Sequence, residues 1–154
     1  MAIAASIFMA AAVSDASSYR IPNYLCGLLL LLFPIFVITA PEQIDWHQNV
    51  GVFLLVGLSG FAMFLGHLAG AGDIKLLSVA SLWAGPHFIA VLLVVTALAG
   101  GVVSIFMAIR THLRQNETQD VIGLNKIPIP YGIAIATGGL TSLAMMAQPI
   151  LLPN

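Results

Sequence analysis

Charge is what this chain has least of. Only 7% of its 154 residues are Asp, Glu, Lys or Arg, against roughly 25% in a soluble domain. With 60% hydrophobic residues, that scarcity excludes an ordinary water-soluble fold, because a chain of this size cannot hide so much apolar surface in a core. The net charge is −1, so no basic field points to nucleic acid. Cysteine is nearly absent. Cys26 stands alone, which excludes an internal disulfide, a CxxC redox pair and a cysteine-rich zinc site. His47, His67, His87 and His112 lie about 20 residues apart and make no ligand-spaced cluster. Each reads as an interfacial or packed side chain, and neither metal nor cofactor is expected. Lys and Arg are also missing ahead of the first apolar run, Met1 to Ser14, which argues against a cleaved signal peptide.

What the chain does have is apolar runs. A bilayer asks for about 20 such residues per helix. The runs are Met1 to Tyr19, Tyr24 to Ala40, Asn49 to Leu68, Ile74 to Ala84, His87 to Ile109 and Tyr131 to Leu151. Pro22 stops the first, and Asn23 is a candidate N-cap for the second. Ile74–Ala84 is short for a span and is expected to be shielded by neighbours or re-entrant. The first run gives roughly 28 Å of helix, so either the natural start lies upstream or the membrane thins there. No soluble domain, repeat or linker interrupts residues 1–154. The expectation is one membrane-embedded, all-α domain of about six transmembrane helices. With six crossings, Arg20, Lys75, Arg110, Arg114 and Lys126 all fall on one side. The link Pro41–Gln48 falls on the other and holds no Lys or Arg. Positive charge marks the cytoplasm, so the N-terminus is expected outside. Gly100-Gly101 and Gly138-Gly139 can pack helices within one chain or between chains, which leaves the oligomeric state open.

The six acids divide. Glu42 and Asp45 fall in the outer link, Glu117 and Asp120 in the polar loop Arg110–Lys126. Asp15 and Asp73 lie within or at the edge of apolar runs, where a carboxylate is costly and a functional candidate by default. Each also has a plain structural reading, above all Asp73, since Asp is a good N-cap. The topology favours function. Both fall at cytoplasmic helix ends, at one depth, although 58 residues apart in sequence. Two neighbouring carboxylates share a proton, so one can polarise a peptide carbonyl while the other activates water. A charge at a helix N-terminus and a proton near a C-terminus are the favoured states, which assigns Asp73 as base and Asp15 as acid.

These residues resemble a known family. Gly70-Ala71-Gly72-Asp73-Ile74-Lys75 is similar to the GxGD-x-K motif of type IV prepilin leader peptidases. Asp15 followed by Ile21-Pro22-Asn23 resembles the family's first aspartate with its downstream IPN. Pro130-Tyr131-Gly132 resembles the P-[YF]-G segment that opens its last helix. The resemblance implies a GxGD aspartyl protease-like bundle with Asp15 and Asp73 as catalytic pair. Gly70, Gly72, Lys75, Pro22, Asn23, Pro130, Tyr131 and Gly132 would shape the site or contact substrate. It implies removal of the basic leader from prepilin-like precursors at the cytoplasmic face of the inner membrane. Gly70 and Gly72 are expected to let the backbone turn sharply and a substrate strand approach. Lys75 is expected to mark the cytoplasmic side rather than pair with a carboxylate. The acidic loop, Glu117 and Asp120, is expected to face the basic leader.

The chain lacks the cysteine-rich insert of larger members, which sets methyltransferase activity aside, and it resembles the short variety associated with Flp (tight-adherence) pili or archaeal surface filaments. The alternative is a small proton- or cation-coupled transporter or channel subunit, whose glycine breaks would be ion-site turns. A purely structural subunit with capping acids is the third reading.

Overall fold

The structure, a computed structural model, describes residues 1–40, 44–115 and 130–151. Every regular element among them is an α-helix: α1 (Ala2–Ser18), α2 (Asn23–Thr39), α3 (Trp46–Leu65), α4 (Ala71–Gln115) and α5 (Tyr131–Leu151). The predicted runs fall on these helices with shifts at their ends. α2 is capped by Pro22, at φ −63° and ψ 132°, and Asn23 is its first residue rather than its cap. α3 begins at Trp46, three residues early. α4 begins at Ala71 and carries Arg110 on its helix rather than in a loop. Glu42, Glu117, Asp120 and Lys126 lie outside the described residues.

α4 is two limbs joined by a break. Gly85 has φ 59° and ψ −173°, a region open only to glycine. Pro86 follows and has no N–H to give. In a continuous helix that N–H would bond the carbonyl of Leu82, four residues back. The buried side chain of Asn49, from the first turn of α3, donates to Leu82 O instead, at 2.9 Å. Contacts then run in reverse order along the second limb. Gly138 of α5 sits against Leu92, and Gly100 sits against Tyr131. The limb 86–115 therefore returns toward the end at which 71–84 began.

The first limb is about 21 Å long, short of a hydrocarbon core of about 30 Å. Its neighbours cover it. Leu76, Val79, Ala80, Leu82, Trp83 and Ala84 are buried. The Trp83 indole N–H donates to Leu29 O at 3.1 Å, and its ring packs on Phe33 and Phe36, which fixes α2 to α4. On its other side Gly60 of α3 rests on Ile74. α1 packs on α5 and α2, with the fully buried Phe8 seated against Gly139. Gly138-Gly139 thus brings helices together within the chain.

The outside is apolar. Ile38, Leu68 and Leu55 are 84%, 75% and 70% exposed, a surface that water disfavours and hydrocarbon accepts. Two helical stretches, Trp46–Leu65 and Ala71–His112, are long and apolar enough to cross a membrane, and three shorter helices are apolar.

Candidate active site

The end of the bundle where α1 finishes and α4 starts holds both aspartates. Asp15 lies in the last turn of α1 and is 4% exposed. The helix closes through a left-handed Tyr19, φ 52°, whose N–H donates to Asp15 O at 2.9 Å. Ser14 Oγ donates to Arg20 O at 3.0 Å. These bonds fold the chain directly into Ile21-Pro22-Asn23. Ile21 rests on Gly72, at 3.6 Å from a Cβ placed there. Asn23 Oδ1 accepts from Lys75 Nζ at 3.0 Å. Lys75 therefore pairs with an amide carbonyl on α2, a tie that the charge-sidedness reading of this residue did not contain.

Asp73 arrives by another route. α3 ends with His67, φ 56°, where His67 N–H bonds Phe64 O and Leu68 N–H bonds Met63 O, a left-handed helix stop. The chain then reaches Gly70, and Ala71 opens α4. Asp73 sits in the first turn, half-buried, so it is not the N-cap of its helix. Gly72 lies inside α4 and Gly70 directly before it, after the turn at 66–69, and among the described residues Gly85 is the glycine with positive φ. The service of Gly70 and Gly72 is room. A Cβ on Gly70 would stand 2.9 Å from Asp73 Oδ2.

α5 closes the site. Pro130 is buried and Tyr131 starts the helix. The Gly132 N–H donates to Asp15 Oδ2 at 2.6 Å, which makes the α5 N-terminus a seat for that carboxylate. A Cβ on Gly132 would stand 2.8 Å from Asp15 Cγ and Oδ2. The carboxylates of Asp15 and Asp73 are brought to the same end by the Gly132 amide on one and by the contacts of Ile21 and Asn23 with the first turn of α4 on the other. Of the residues singled out in the sequence, Asp15, Asp73, Gly70, Gly72, Pro22, Asn23, Lys75, Tyr131 and Gly132 gather at this one end, with Pro130 at the mouth of α5.

The helix-end argument that made Asp15 the acid loses its footing. Asp15 accepts from the N-terminal amide of α5 and Asp73 sits in the first turn of α4, so both stand at positive helix ends. Two contributors escaped the sequence. Ile21 was read only as part of a motif, although its contact with Gly72 docks the loop. Asn49 was read only as the start of an apolar run. Pro86 announced that Leu82 O would need a donor, but nothing in the sequence said which.

Among the described residues, Arg20, Lys75 and Arg110 lie toward this end. Arg20 follows Asp15 by five residues and Lys75 follows Asp73 by two. Arg110 lies ten residues past Gly100, about 15 Å further along the limb.

The family model described as the type IV leader peptidase family matches residues 2–105, a stretch that contains both aspartates and ends before Pro130. No curated protein and no solved structure matches the chain.

Proposed function

The chain belongs to the type IV leader peptidase family, and from that premise we propose that it is an intramembrane aspartic endopeptidase. Its substrates would be prepilin-like precursors of the Flp (tight-adherence) type, cut to release the basic leader. Its seat would be the inner membrane, crossed six times, with the site near the cytoplasmic face. The observation that supports the reading most is that Asp15 of α1, held by the Gly132 amide, and Asp73 of α4 lie at the same end of the bundle, beside the Ile21–Gly72 and Asn23–Lys75 contacts. The gathering of Arg20, Lys75 and Arg110 toward that end supports a cytoplasmic position. Counting both limbs of α4 as crossings supports six.

The chemistry follows from two carboxylates sharing one proton. The protonated one donates to the oxygen of the scissile carbonyl. The charged one takes a proton from water as the water oxygen bonds to the carbonyl carbon. The tetrahedral diol collapses as the C–N bond breaks: the departing nitrogen receives the proton held by the second aspartate, and one diol hydroxyl returns its proton to the first aspartate as the C=O bond re-forms. Leader acid and mature amine result, and the two aspartates again share one proton.

Co-expression with a prepilin tests this. Asp15→Asn and Asp73→Asn should each lower leader removal by about 10²–10⁴-fold while membrane insertion is unchanged. Retained cleavage in either variant refutes the dyad. Proton flux in a wild type that cuts nothing would favour the transporter instead.

A further inference from the structure

α1 and α4 carry the two aspartates, yet α1 packs along α5 and α2, and no extended packing joins it to α4 among the described residues. α5 packs on both helices and holds Asp15, and the connector 19–23 adds a second link between the surroundings of the two carboxylates. That connector is tied to the last turns of α1 at one end, by the Tyr19 N–H on Asp15 O and by the Ser14 hydroxyl on Arg20 O. At the other end it touches α4 twice, through Ile21 on Gly72 and through Asn23 on Lys75. Gly72 and Lys75 flank Asp73 in the first turn of α4.

We propose that the Asn23–Lys75 hydrogen bond clasps the connector to the first turn of α4 and so fixes the separation of Asp15 and Asp73. Asn23 and Lys75 are then positioning residues that act through the aspartates. This rests on the reading of Asp15 and Asp73 as the catalytic pair. The clasp is directional. A lysine only donates and its partner must be the amide oxygen, so an acceptor at 23 and a cation at 75 are both required. Asn23 lies on the exposed face of α2, where its loss opens no cavity in the core. Misplacement of reacting groups by about 1 Å is worth on the order of 100-fold in rate, so a single exposed hydrogen bond can matter to catalysis out of proportion to its stability.

The test uses the full chain in lipid nanodiscs with a synthetic prepilin leader peptide. Asn23→Leu and Lys75→Met should each lower kcat by about 10- to 100-fold with KM little changed. The double variant should be no worse than the worse single one. Asn23→Asp, which keeps the acceptor, should recover most of kcat. Losses that multiply, losses confined to KM, or an Asn23→Asp as poor as Asn23→Leu would overturn the clasp. A second arm needs no activity. Asp15→Cys with Asp73→Cys, in a Cys26→Ser background, is treated with a short bifunctional thiol reagent. Adding Lys75→Met should abolish most of the cross-link, and an unchanged yield overturns the proposal. A wild type that does not cut the peptide counts against the peptidase reading alone, because the cross-link still decides the clasp.

Discussion

Asp15 and Asp73 form a pair of unequal members. Asp15 is buried, its backbone is held by the Tyr19 turn, and its Oδ2 takes the Gly132 N–H. Asp73 is half-buried in a first helical turn, with Gly70 leaving space beside its Oδ2. One carboxylate is held from two helices, while the other sits half-buried beside Gly70. In the proposed peptidase the held group would supply a reference point, and the less buried one would adjust to the bound chain.

That contrast can be broken from the fixed side first. Gly132→Ala drives a methyl into the Asp15 carboxylate and should cost about 100-fold in kcat. Gly70→Ala meets the end of a side chain that can swing, and should cost only about tenfold. Equal losses in the peptide-cleavage assay would erase the distinction. Lengthening the acids sharpens it. Asp73→Glu should keep about ten times more activity than Asp15→Glu, because only the half-buried site can absorb another methylene. The reverse order would mean that Asp73 is the constrained partner. The smallest effect on cleavage comes from the far end of the limb that carries Asp73, away from the carboxylate. Asn49→Leu orphans Leu82 O and should lower stability by about 1–3 kcal/mol, read as a lower melting temperature in nanodiscs. Cleavage below the transition should change little.

The parts of the site that were legible in the sequence are those with a local cause. Pro130 ahead of an apolar run marked Tyr131 as a helix start, and Gly85-Pro86 marked a break. Two acids in apolar surroundings stood out because membranes disfavour them. What stayed hidden depends on partners far along the chain. The Gly132 amide belongs to the backbone, so no residue type announces it. Asn23 was read as a cap because Asn is a good one, yet its oxygen answers Lys75, 52 residues away. Gly70 and Gly72 suggested a turn, since glycine permits one. In the fold they also leave space, for the Asp73 carboxylate and for Ile21.

The reversal at Gly85 bears on how the protein is made. A stretch of about 21 Å that carries Asp73 and Lys75 partitions poorly into lipid by itself. Its unpaired Leu82 carbonyl would also be stranded in hydrocarbon. The donor that relieves it, Asn49, is synthesised 33 residues earlier. By the time Leu82 leaves the ribosome, α3 has already emerged. In the proposed six-span arrangement, the two limbs of α4 would then have α3 to fold against, with the donor for Leu82 O already at hand.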